Sequence, residues 1–341
     1  HLGNRRLSRA FLFLLSFQIL LVSAAFGKDF ASEYDLLRQA PPAAISFLSD
    51  GSVPDAQGFV GLQQKYGTWY EAGMQRGGCR MVIGAVVSGD EKRADDAWRA
   101  IEVTFAHQAE DGGFVSNRKP NDTHPPTKAE RVETAFFFLQ ECARAILVIQ
   151  ASPMEAHFHE RIETLEPKLR RAGEFLQSGF GAIFFKCGHT ANRLLIAAKA
   201  FGLCGIVLDD ETLKASSDKL VALALKRRDA EGVFIERGGR DSSYNAVSLL
   251  MGQVLGLYRP NPELDAAMVK TMAWERTRIK DTGEVDVTGN TRTGVGRETG
   301  ISGHPKEVNY SEVAQALCFY GMIHDDPDAV ALAEKVQAFH K

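Results

Sequence analysis

The chain has 341 residues, 45% of them hydrophobic and 24% charged, with a formal charge of −3. Such a balance belongs to a soluble globular protein with room for a sizeable core. It lacks the basic excess and Lys/Arg tracts by which nucleic-acid binders neutralise phosphates.

Arg5, Arg6 and Arg9 precede an apolar run over residues 11–26, and the small residues Ala25 and Gly27 flank Phe26. A charged start, a short apolar stretch and a small-x-small site predict a secretory signal peptide over 1–27, cleaved near Lys28. The run is shorter than the ~20 residues of a membrane span. The expectation is a secreted or periplasmic protein, free of the membrane after cleavage, with 28–341 forming one domain. The five cysteines are odd in number and mostly sit in apolar helical stretches, which predicts buried free thiols. Cys187 and Cys204 are the pair nearest in sequence should one disulfide form.

Three parts recur along the rest of the chain. An amphipathic helix is followed by an Asp-Gly or Glu-Gly turn with a short apolar strand, and then by an apolar helix with a polar start. The turns are Asp50-Gly51, Asp111-Gly112, a looser Gly179-Phe180-Gly181, Glu231-Gly232 and Thr282-Gly283. Predicted amphipathic helices cover 43–48, 91–107, 157–177, 210–228, 262–279 and 326–339, the last opened by Asp326-Pro327. Predicted apolar helices cover 66–87, 131–150, 190–208, 242–258 and 308–323. A helix apolar on every side belongs in an interior. Units that cannot bury their apolar faces alone must stack on one another. The predicted fold is all-α: an (α/α)5-6 toroid of inner and outer helices with short strands in the Asp-Gly turns. An open α-solenoid is the rival arrangement.

The stretch from Gly238 to Tyr258 sets the expectation for a site. A glycine pair permits a sharp turn, Asp241 or Ser242 caps a helix, and the polar residues Asp241, Ser242, Ser243, Tyr244 and Asn245 crowd its start. In a toroid the polar starts of all the inner helices gather at one end. There they bring together Trp69, Tyr70, Arg131, Glu133, His189, Asn192, Arg193, Asn309 and Tyr310. The loop over 289–307 adds Arg292, Arg297, His304 and Lys306. Converging helix N-termini and basic side chains favour an anionic ligand.

These alternating helices and the export signal resemble the α/α-toroid carbohydrate-active enzymes, notably polysaccharide lyases of the alginate and chondroitin/hyaluronate type. The likeness lies in architecture, without a diagnostic string. Such lyases use Tyr and His beside Asn and Arg, and His189, Asn192, Arg193 and Tyr244 supply those types. The resemblance implies β-elimination from a uronic acid. Asn192 and Arg193 would neutralise the carboxylate, Tyr or His would take the C5 proton, and Tyr244 would protonate the leaving oxygen. A glycoside hydrolase is the alternative, with its carboxylate pair drawn from Asp241, Glu133, Glu71 and Glu312. A non-catalytic glycan-binding or scaffold protein is the other. The partner expected in each case is a poly- or oligosaccharide.

Gln108 to Phe114 is similar to the Gln/Asp-Gly/aromatic repeats of terpene cyclases, but no Asp-x-Asp-Asp string accompanies it. Cys187-Gly188-His189 holds two metal-ligand types and lacks a third. No phosphate-cradling, dinucleotide or nucleophile-elbow string occurs, so neither cofactor nor metal is expected.

Overall fold

The computed structural model describes residues 30–48, 53–117, 119–300 and 303–340. The signal segment and the Asp50-Gly51 turn lie outside them. The described chain is all-α. Its helices are α1 (Glu33–Gln39), α2 (Pro42–Leu48), α3 (Gly61–Tyr66), α4 (Arg76–Ser88), α5 (Glu91–Ala106), α6 (Lys128–Gln150) and α7 (Glu155–Ser178), then α8 (Phe180–Cys187), α9 (Ala191–Val207), α10 (Glu211–Leu225), α11 (Ser242–Tyr258), α12 (Pro262–Arg276), α13 (Tyr310–Ile323) and α14 (Pro327–His340).

The apolar helices α4, α6, α9, α11 and α13 are buried along most of their length. Each is followed by an amphipathic helix that packs back on it: α5 on α4, α7 on α6, α10 on α9, α12 on α11 and α14 on α13. The buried helices also touch one another in order, α4 to α6, α6 to α9, α9 to α11 and α11 to α13. Helix α2 was expected among the amphipathic helices. It packs instead against α4 and α13, between the first and last buried helices. One continuous apolar core runs through these elements.

Among the described residues the Asp-Gly turns contain no strands. They carry single antiparallel bridges, Gln108 to Phe114, Arg228 to Phe234 and Ile279 to Val285, because too few residues separate helix from turn for a ladder. The turn itself repeats closely. Ala109 N–H donates to Gly113 O and Gly112 N–H to Ala109 O; Asp229 to Val233 and Lys280 to Glu284 bond in the same way. Asp55 to Phe59 forms a further copy that the sequence reading missed. Gly179-Phe180-Gly181 is no such turn, since it opens helix α8.

Gly283 holds φ at +88°, and a Cβ there would lie 2.2 Å from the carbonyl oxygen of Lys335. Gly283→Ala should therefore lower stability by about 1–3 kcal/mol through left-handed strain, with more if Lys335 cannot move. The readout is a fall in denaturant midpoint at unchanged slope. A Cβ at Gly181, inside α8, would meet nothing within 4 Å, so Gly181→Ala should keep or raise the midpoint.

Charges also enter the interior. The fully buried Arg144 of α6 bonds Glu33 of α1 and Glu141 one turn before it, at 2.6 and 3.2 Å. Glu141 is also 3.3 Å from both Lys199 of α9 and Arg80 of α4, and Arg80 is 3.3 Å from Glu312 of α13. The Tyr258 hydroxyl donates to Glu33 at 2.7 Å, tying the end of α11 to the same cluster. Burial pushes the Glu141 carboxyl up, yet Lys199, Arg144 and Arg80 together hold it well below its usual range. Burial dominates at Lys199 and brings its ammonium down to about 7. Cations and anions balance in this cluster, which is the condition for burying them at all.

Candidate functional site

The site begins with the polar start of α11. Asp241 is its N-cap, with one carboxylate oxygen accepting the Tyr244 N–H at 3.1 Å and the Thr293 hydroxyl at 2.9 Å. The other oxygen accepts the N–H groups of Arg292 and Thr293, both at 2.8 Å. Asn290 accepts from the Ser242 N–H at 3.0 Å. The cap thus fastens the loop before α13 to α11 and brings Arg292 over the Tyr244 ring, 3.6 Å from its centre. Lys306 stands 5.2 Å from the same centre.

Behind Arg292 lies Glu236, fully buried. It accepts the Asn192 N–H at 2.7 Å, capping α9 from another segment, and bonds Arg292 at 3.1 Å. Burial pushes the Glu236 carboxyl up to about 7, against the pull of the Asn192 amide and Arg292. Glu298 holds Arg292 from the other side and also accepts from Lys306. Burial raises Glu298 too, but the hydrogen bonds from Lys306 and Arg292 outweigh it and hold the carboxyl at about 2.

These groups border a cavity of about 340 Å³ among the N-terminal ends of α4, α9, α11 and α13. Arg76, Arg80, Arg193, Arg292 and Lys306 line it, with Glu307 and Glu312 the carboxylates, and Phe137, Ile196, Val247 and Met251 supply apolar wall. A second cavity of about 290 Å³ shares Arg76, Phe137 and Arg193 with the first, so the two adjoin. It is bordered by Glu71, Glu130, Glu133, Asn117 and Lys119. Arg76 lies against Phe137 and makes no ion pair among the described residues; its one hydrogen bond goes to the Gly73 carbonyl at 2.6 Å. Burial and neighbouring Arg80 lower its affinity for its own proton. An anion in the cavity would relieve both.

The structure brings together Asn192, Arg193, Tyr244, Arg292 and Asn309 at the first cavity and Glu133 at the second. Arg193 is paired with Glu133 at 3.0 Å. The other expected residues fall elsewhere. Asp241 is fully buried with both oxygens spent on the cap, which makes it a positioning group. His189 is exposed and does not line either cavity, although partial burial and Arg237, Arg193, Arg292 and Arg227 hold its imidazole below the usual value.

Trp69 and Tyr70 were expected in the first turn of a helix starting near residue 66, but Gly67 ends α3 and α4 begins only at Arg76. Trp69 stacks on His107 with ring centres 4.0 Å apart, and Tyr70 is buried with its hydroxyl pushed up to about 12, chiefly by burial. Arg131 is taken up by Asp111 in the turn, through two bonds of 2.7 Å. Tyr310 stacks on His340, and Arg297 and His304 are exposed away from the cavities. Sequence reasoning missed Arg76, Arg80, Glu236 and Glu298.

All five cysteines are buried and free. Among the described residues no group of three His, Cys, Asp or Glu side chains could hold a metal ion. No helix among them is long and apolar enough to cross a membrane.

Glu298 gives the site a pH signature. A carboxyl depressed on folding contributes stability that is complete above its unfolded value, ~4.3, and is lost as pH falls through its folded value. That window runs down to about 2 here. Glu298→Gln should flatten the acid limb of the stability curve in this window. At neutral pH it should speed hydrogen exchange at the Glu298 and Lys306 amides, which bond the carbonyls of Arg292 and Glu298.

No protein-family model matches the chain, and no curated protein matches it, so the function must be argued from the cationic cavity.

Proposed function

We propose that this chain is an α/α toroid, exported behind a signal peptide over 1–27, that binds uronic-acid glycans and cleaves them by β-elimination. Three things support the toroid reading: the serial packing of α4, α6, α9, α11 and α13, the place of α2 between the last and the first, and the amphipathic helices against them. The observation that carries the function is the cavity itself. Four arginines and a lysine face one space, and Tyr244 lies in it beneath Arg292 and Lys306.

A uronate entering this cavity brings a carboxylate and several hydroxyls. Arg76, Arg193 and Arg292 neutralise the carboxylate, which makes the C5 proton acidic. A base removes that proton, and its electron pair becomes the C4–C5 double bond. The C4–O bond breaks, and a proton goes to the leaving oxygen. Tyr244 is the group lining the cavity that is able to carry protons. The pair of adjoining cavities suits a chain of sugars over a single one.

The carboxylates of this region favour the hydrolase reading less. Glu133 is held by Arg193 and Lys186, Glu312 by Arg80, and Glu71 accepts from Thr134. A hydrolase needs one of its pair kept protonated and unengaged.

Incubation with uronate polymers tests the reading. A rise in absorbance from the C4–C5 double bond that Tyr244→Phe abolishes is the expected result. Reducing ends released without that absorbance would indicate a hydrolase, and retention of polymer without turnover a binding protein.

A further inference from the structure

We propose that the two adjoining cavities accept unlike sugars, an acidic unit in the first and an uncharged unit in the second, with Glu133 the residue that keeps a second carboxylate out. Resting on the reading of the site as one for uronates, this pattern narrows acidic glycans in general to those whose charge alternates along the chain. The two linings differ in charge. Five cations and two carboxylates, Glu307 and Glu312, line the first cavity. In the second, Glu71, Glu130 and Glu133 stand against Lys119 and the shared Arg76 and Arg193, three of each sign. A uronate in the first cavity therefore meets a surplus of positive charge, and a uronate in the second meets a balanced lining. Because Arg76 and Arg193 border both spaces, a carboxylate held in the first also takes up the cations that a second one would need.

Glu133 sharpens the contrast. It lines the second cavity and not the first, from the N-terminal part of α6. One of its carboxylate oxygens is 3.0 Å from Arg193 and the other 3.2 Å from Lys186. Glu130, three residues earlier, is 3.6 Å from the same Lys186. Cations beside the second cavity are thus already engaged by carboxylates of the protein. A sugar carboxylate placed there would stand next to Glu130 and Glu133 and compete with them for Arg193 and Lys186. Setting like charges side by side is a direct way to reject one ligand in favour of another. An uncharged sugar escapes that repulsion. Asn117 offers an amide to its hydroxyls, and Phe137 and Pro126 offer apolar surface to its ring.

Two tetrasaccharides serve as probes, one built of uronic acid alone and one alternating uronic acid with N-acetylhexosamine. Calorimetric titration is run in the Tyr244→Phe background, where turnover is expected to be lost. The alternating tetramer should bind at least about tenfold more tightly. Glu133→Gln keeps the shape of the side chain and removes its charge, and it should narrow that ratio by at least about threefold. Asn117→Lys adds a cation to the same cavity from a loop and should move the ratio in the same direction, whether or not Glu133→Gln folds. Sugar stereochemistry differs between the probes but cancels in the change of ratio. Equal or tighter binding of the all-uronate tetramer in the background chain, or a ratio left unchanged by every variant that folds, overturns the charge pattern and leaves the uronate reading standing. Binding of neither tetramer overturns both.

Discussion

Replacing Glu141 with alanine is expected to destabilise the protein by about 3–5 kcal/mol. Glu141 is fully buried and is the one anion that touches Arg80, Arg144 and Lys199 together. Its removal strands three cations in an apolar interior, with only Glu33 and Glu312 left to face them. Burying an unpaired charge costs far more than an exposed pair returns. Total stabilities run to about 5–15 kcal/mol, so the variant should lose a large share of its stability. Denaturant titration at neutral pH is the measurement. Breaking the exposed Lys92–Asp96 pair with Lys92→Ala is the comparison, and it should leave the midpoint where it is. Glu141→Gln keeps the shape and loses the charge; a cost close to that of alanine would assign the effect to electrostatics over packing.

The second large effect belongs to Arg76. Burial and Arg80 make its charge unfavourable, and the attraction of Glu312, Glu71 and Glu141 only partly offsets them. Arg76→Met should therefore raise the melting temperature slightly, because a long apolar side chain can keep the contact with Phe137. The same change should weaken an oligouronide by about tenfold to a hundredfold, the worth of one or two charge-assisted hydrogen bonds. Higher stability with lower affinity marks a residue kept for a ligand. Arg292→Met should behave differently. It leaves Glu236 buried and unpaired and frees the loop from Tyr244, so stability and affinity should fall together.

Much of the helical frame was legible in the sequence because the signals were local. α11 was expected over 242–258 and spans Ser242–Tyr258, with Asp241 as its cap. Asn261-Pro262 and Asp326-Pro327 open α12 and α14 where a cap and a first-turn proline should stand. The turns could be read for a similar reason. Asp111 and Asp229 accept the backbone N–H groups of their own turns, and Asp55 does the same at the copy that was missed. Gly179-Phe180-Gly181 has glycines but no such acceptor, and its apolar run continues as helix α8.

Long-range effects were less legible. The break after Gly67 hid the true start of α4, so Trp69 and Tyr70 were placed where Arg76 and Arg80 belong. A single charge inside an apolar helix was the available signal for Arg80, Glu141, Arg144 and Lys199. Their partners lie on other helices, which no spacing rule reports. Glu236 and Glu298 flank Arg292 only because Asp241 folds the loop back, and that follows from three-dimensional closure.

On the proposed function, the cavity at the start of α11 recognises the charge of an acidic sugar. Calorimetric titration of the whole protein with a short oligouronide, and with the same oligomer after reduction of its carboxyls to alcohols, tests that most directly. The acidic oligomer should bind at least about tenfold more tightly, with an affinity that falls as salt rises. Equal binding of the two oligomers, or binding of neither, would contradict the claim.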